Sequence, residues 1–173
     1  MTVLSTKRVA YIGVTVTLAM AFSYLEVLIP FDFGIPGVKL GLANLVVLVT
    51  LYYLDAKTAF FINMIRIFLT GFLFGNAMSM GYSVAGGLLS FLVMWLSSRG
   101  GKFSMIGVSL LGGIFHNIGQ LCVAALVLET FRIAYYFPVL LISGLITGVL
   151  IGICAGQILK RLPKHGINLK KKK

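Results

Sequence analysis

Arg66 is a cation near the middle of an apolar stretch, with Asn63 three residues before it and Thr70 four after. On a helix those spacings put all three side chains on one face. A cation inside a bilayer is costly unless it is paired or reaches a wet cavity. Two uses fit the spacing. Arg66 is an internal hydrogen-bonded strut, or it points into a pocket and meets an anionic or carbonyl group of a ligand.

A second polar group lies in the run Gly112-Gly113-Ile114-Phe115-His116-Asn117-Ile118-Gly119-Gln120. His116 and Gln120 are one turn apart, and Asn117 stands beside them. The glycines would let another helix or a ligand come close. One histidine without acidic or thiol neighbours is a poor metal site. This cluster reads equally well as a helix–helix strut and as a substrate contact.

Further polar residues fall at one level of the chain. Glu26 precedes, by one turn, the segment Pro30-Phe31-Asp32-Phe33-Gly34-Ile35-Pro36-Gly37-Val38-Lys39, and Asn44 follows it. Asn76, Tyr82 and Gln120 belong to the same outer level. The segment itself is either an interfacial hairpin with aromatics at headgroup depth or a lid over an outward-facing pocket. As a pocket, the set would use Arg66 and Lys39 for an anionic group and Phe31, Phe33 and Tyr82 to cover an apolar part.

Other chemistry is poorly supplied. The chain has four acidic residues, Glu26, Asp32, Asp55 and Glu129, and no two are closer than six positions. Magnesium-dependent phosphoryl or prenyl chemistry needs clustered carboxylates. Cys122 and Cys154 have no metal spacing and read as small packing residues in apolar spans. No phosphate loop, dinucleotide fingerprint or nucleophile elbow is present, so any ATP would be used by another chain.

The elements that must position these residues are membrane spans. Of 173 residues, 59% are apolar and 11% charged, and the mean hydropathy is +1.02. A soluble domain is closer to about 25% charged. A span needs about 20 apolar residues. Six segments can be drawn, over 9–29, 39–54, 58–75, 79–97, 103–128 and 133–159. The expected architecture is a single all-α, six-helix transmembrane domain over 1–160, with a basic tail over 161–173.

The net charge of +11 fits the positive-inside rule better than nucleic-acid binding. With the N-terminus inside, twelve Lys and Arg residues fall on the inner side and only Lys39 and Arg132 on the outer. Both termini are therefore expected on the cytoplasmic side of a bacterial cell membrane. Lys7-Arg8 and Ala19-Met20-Ala21 resemble parts of a signal peptide. The apolar run continues through Leu28, so an uncleaved first span is the expectation.

Small residues mark close packing. Gly144, Gly148, Gly152 and Gly156 recur every four residues and form one stripe on the sixth span. Gly13, Thr17 and Ala21 form a weaker stripe on the first. It would contact another helix of the same chain, which spacing alone favours, or dock a separate membrane partner. No internal repeat is evident.

Four stretches together resemble the Gx transporter family, also labelled heptaprenyl diphosphate synthase component I. They are Pro36-Gly37-Val38-Lys39-Leu40-Gly41-Leu42-Ala43-Asn44, Asn63-Met64-Ile65-Arg66, Gly86-Gly87-Leu88-Leu89-Ser90 and Gly113 to Gln120. The resemblance covers about residues 8–160. The family is similar to substrate-binding S components of energy-coupling factor (ECF) transporters. That likeness implies a six-helix bundle, a pocket near the outer face capped by the first outer loop, and docking on a membrane coupling protein driven by two ATPase subunits. Relatives dock through an alanine-x-x-x-alanine pattern on the first helix, where this chain has Gly13, Thr17 and Ala21.

The synthase label implies two aspartate-rich motifs in a catalytic chain. This chain has two aspartates, Asp32 and Asp55, in neither motif. It is not expected to be catalytic alone. The leading expectation is a membrane subunit that binds a small organic molecule, an isoprenoid, quinone or vitamin-like precursor. The alternative is a non-catalytic membrane subunit of a polyprenyl diphosphate synthase, and a weaker one is a structural membrane subunit.

Overall fold

The computed structural model describes residues 6–28, 41–129 and 131–163. In a bilayer every backbone N–H and C=O must be satisfied within its own segment, which favours helices. The described residues accordingly form six α-helices: α1 (Thr6–Leu28), α2 (Asn44–Tyr53), α3 (Ala56–Phe74), α4 (Ala77–Arg99), α5 (Met105–Val127) and α6 (Phe137–Arg161). A short 3-10 turn, Phe131–Tyr136, leads into α6.

Local chemistry sets several helix starts. Asp55 accepts from Thr58 N at 2.8 Å and from Thr58 Oγ1 at 2.9 Å at the head of α3. Asn76 caps α4 through Ser79 N at 2.8 Å, and Ser104 caps α5 through Gly107 N at 3.2 Å. Each cap satisfies a backbone donor that the helix leaves open. Pro138 sits in the first turn of α6, where its missing N–H is harmless.

Five of the six helices are long and apolar enough to cross a membrane. The expected second span is the exception. Gly41 takes φ +80°, so the helix begins only at Asn44 and α2 has 10 residues. That is about 15 Å, half of a hydrocarbon core of about 30 Å. This short helix is also the central one, in contact with all five others.

Around α2 the longer helices pack in the order α1, α3, α4, α5, α6. The tightest seams are α4 with α5 and α5 with α6. The glycine ladder of α6 explains the second of these. A Cβ on Gly113 would stand 2.5 Å from Gly144 O, one on Gly148 2.7 Å from Leu110 Cα, and one on Gly152 2.8 Å from Ile106 Cα. The backbones touch where those side chains are missing, as the four-residue spacing predicts.

Polar side chains gather inside among the apolar core, and large apolar ones cover the outside. Asn44, Asn63, Arg66, Ser90, His116, Asn117 and Gln120 are buried, while Phe72, Leu126, Val14, Ile142 and Leu150 are well exposed. That inversion suits lipid as the surrounding medium. Cys122 and Cys154, expected as packing residues, instead lie on the exposed surface.

Candidate functional site

Arg66 is the centre of the polar interior, only 5% exposed. Its Nε and Nη2 donate to Asn63 Oδ1 at 3.1 and 2.8 Å. Nη2 also donates to Asn44 Oδ1 at 3.2 Å, and Nη1 reaches Ser23 Oγ at 3.5 Å. Three helices thus converge on one guanidinium. A guanidinium has five donors in a fixed fork and no acceptor. Neutral oxygens from α1, α2 and α3 occupy part of that fork.

The surrounding residues hold this arrangement. Asn63 Nδ2 donates to Gly87 O at 3.0 Å, which fixes the amide that receives Arg66. A Cβ on Gly87 would stand 2.7 Å from Ile67 Cδ1, so glycine is what lets α4 approach α3 there. Thr70 Oγ1 donates to Arg66 O. Gly41 serves α2 in two ways. Its φ of +80° disfavours any side chain, and a Cβ there would lie 3.0 Å from Asn44 Nδ2.

Glu26 supplies the negative charge that acts on Arg66. Its Oε1 accepts from Leu42 N at 2.6 Å. Leu42 precedes α2, so the carboxylate faces the positive end of that helix. Ser23, Glu26, Gly41, Arg66, Ile67, Thr70, Ser83 and His116 line one small pocket of about 10 Å³. One water needs about 10–15 Å³. Among the described residues the polar centre is closed.

The residues singled out from sequence separate into groups. Glu26, Arg66 and His116 share the pocket, and Asn44 binds Arg66. Gln120 is fully buried, and among the described residues neither its Oε1 nor its Nε2 has a hydrogen-bond partner. Ser90 Oγ is in the same condition on α4. Asn117 points elsewhere, donating to Leu140 O of α6 at 2.6 Å. Asn76 is exposed and committed to capping α4. Tyr82 is buried in an apolar cluster with Ala124, Ile133 and Leu140. Phe31, Asp32, Phe33 and Lys39 lie outside the described residues. Sequence reasoning did not single out Ser23, Gly41 or Ser83 for the site. Ser23 was detectable, since it stands one turn before Glu26 on α1.

The small stripe on α1 faces outward. Gly13, Thr17 and Ala21 are all exposed, and a Cβ on Gly13 would meet nothing within 4 Å. Among the described residues, contact with another helix of this chain, the reading that spacing favoured, does not occur. Thr17 Oγ1 donates to Gly13 O at 3.0 Å, which suits a hydroxyl on an outer surface.

A polytopic helical membrane protein with a closed, arginine-centred polar interior is the class these features define. Within it, residues 15–158 match the family profile of heptaprenyl diphosphate synthase component I, and the chain belongs to that family. No curated protein and no solved structure matches the chain.

Proposed function

We propose that this chain is the membrane-embedded substrate-binding subunit of an ECF-type importer for a small organic molecule with an anionic group. The observation that carries the reading is the Arg66 centre. Its charge is buried among neutral oxygens from three helices, with Glu26 and His116 on the same pocket. An anionic ligand group would compete with Asn44 and Asn63 for the guanidinium. Binding then requires the centre to open, with Asn44 and the head of α2 moving away from Arg66.

Substrates of this kind include isoprenoid, quinone or vitamin-like precursors. Gln120 would offer its amide to the polar part of such a molecule. Phe31, Asp32, Phe33 and Lys39 would form the cap. Gly13, Thr17 and Ala21 would dock a membrane coupling protein, and two partner ATPases would use ATP. The outward direction of that stripe supports this assignment.

A second reading is favoured by the family's description as a component of heptaprenyl diphosphate synthase. In that reading the chain would be a non-catalytic membrane component that holds a soluble prenyl diphosphate synthase at the bilayer. One experiment separates the two. The protein is purified from native membranes in mild detergent, and co-purifying proteins are identified by mass spectrometry. A coupling protein with two ATPases supports the importer reading. A prenyl synthase without ATPases supports the second and turns the Arg66 centre into a strut.

A further inference from the structure

The buried asparagines of the bundle are matched. Asn44 and Asn63 serve Arg66, and Asn117 serves Leu140 O. Gln120 of α5 is different. It is 0% exposed, and among the described residues neither end of its amide has a hydrogen-bond partner. An amide carries an acceptor oxygen and two N–H donors. Leaving both ends dry is unfavourable, and packing does not require it, since leucine would fill similar space.

The amide stands beside the Arg66 centre. His116, which lines the Arg66 pocket, is one turn before Gln120 on α5. Both rest against one glycine of α4. A Cβ on Gly86 would stand 2.9 Å from Gln120 Cγ and 3.1 Å from His116 Cε1. The imidazole also faces the head of α2, with His116 Cδ2 3.7 Å from where a Cβ on Gly41 would lie. The pocket of about 10 Å³ reaches His116 but not Gln120. Its space, enough for about one water, therefore does not serve the amide.

Ser90, one turn along α4 from Gly86 and on the same face, adds a fully buried hydroxyl with no partner among the described residues. Ser83 and Ser97 of the same helix each donate to the carbonyl four residues before, at 2.8 and 2.6 Å. Ser90 does not. Polar atoms from both sides of the α4–α5 seam are thus unmatched while the centre is closed.

We infer that Gln120 determines the specificity of the Arg66 site, and that its ligand is a compact acid carrying a planar amide edge, such as a lactam, ureide or carboxamide. An N–H on that edge donates to Gln120 Oε1, and the adjoining C=O accepts from Nε2. His116 and Gln120 are about 6 Å apart along α5, so acid and edge belong to one ring-sized molecule. A site built to hydrogen-bond a group rejects analogues that lack it. A quinone or a prenyl chain offers no N–H to Oε1 and is disfavoured. This selectivity rests on the Arg66 centre being a ligand site, as proposed above.

Two acids that differ only in the edge are the probes. One is nicotinate. The other is its lactam derivative, oxidised beside the ring nitrogen and para to the carboxylate. Binding to the full chain in mild detergent is followed by calorimetry. The lactam acid should bind about tenfold more tightly than nicotinate, which is the worth of one buried hydrogen bond. Gln120→Leu should remove that difference, and Gln120→Met serves if the first variant does not fold. Thermal unfolding checks both. Arg66→Lys should weaken both acids alike. Equal binding of the two acids, or an unchanged preference in a folded Gln120 variant, overturns the inference. Where that binding still depends on Arg66, the importer reading stands without it. Binding of neither acid also overturns the inference. Recovery of a coupling protein with two ATPases then leaves the importer reading standing, and failure to recover them removes both.

Discussion

Arg66 of α3 and Asn44 of α2 are joined by a hydrogen bond of 3.2 Å between Nη2 and Oδ1, across 22 positions of sequence. The bond ties the short central helix to a long one at the depth where Glu26 also engages the head of α2. Asn44 is held in place for it by Gly41, which has no side chain to displace the amide. The polar centre and the placement of α2 are therefore one structural unit.

Removing the guanidinium should be expensive. Arg66→Ala leaves Asn63 Oδ1 and Asn44 Oδ1 without their donor, each at about 1–3 kcal/mol. A fall in unfolding temperature in detergent is the expected result. Arg66→Lys should fall between the two, because an ammonium cannot reproduce the fork. Under the importer reading both variants also lose ligand affinity, and unchanged affinity would remove Arg66 from the site.

Gly41→Ala should be more damaging than Gly101→Ala. Both glycines have positive φ, +80° and +64°, which costs an alanine about 1–2 kcal/mol. Only at Gly41 does the new methyl also press on Asn44, at 3.0 Å, whereas Gly101 has open space. Comparing the two unfolding temperatures isolates the contribution of the Asn44 contact.

Gln120→Leu should raise stability or leave it unchanged. The substitution removes two buried polar atoms that lack partners, and an apolar replacement of similar size avoids that desolvation penalty of about 1–3 kcal/mol. If Gln120 contacts a ligand, the same variant binds it more weakly. Asn117→Ala should show the opposite pattern, with a stability loss of about 1–2 kcal/mol from the lost bond to Leu140 O and no change in binding.

The α5–α6 seam and the α1 stripe should respond differently to added methyl groups. Gly113→Ala places a Cβ 2.5 Å from Gly144 O and must force α5 and α6 apart. Overpacking of this kind costs about 1–3 kcal/mol. Gly13→Ala meets nothing and should leave the fold intact. Gly13→Trp should likewise fold but, under the docking reading, recover less coupling protein on purification.

Much of the fold is legible in the sequence. The α6 ladder from Gly144 to Gly152 has a spacing that fixes both its face and its use, because only another backbone can fill so narrow a gap. Arg66, Asn63 and Thr70 were placed on one face by the same periodicity. The length of α2 was not legible. An apolar run over 39–54 looks like a span, and nothing local reveals that Gly41 adopts a left-handed conformation.

The site was only partly legible, and the reason is the same for each residue. Polarity places a side chain on the inner face of a helix but does not name its partner. Asn76, Tyr82 and Asn117 looked equivalent to Asn44, yet one caps a helix, one fills an apolar cluster and one braces α6.

The sequence by itself determined that this is a multi-pass helical membrane protein with polar groups kept from lipid. Hydropathy acts along the chain, residue by residue, and needs no partner to be read. Only the tertiary structure decided that α2 is the centre, that Arg66 meets Asn44 and Ser23 there, and that the α1 stripe faces outward. Those facts depend on how far each helix is rotated and how closely it can approach its neighbours. Those quantities are set by contacts between helices, through the bare backbones of glycines and through buried polar side chains.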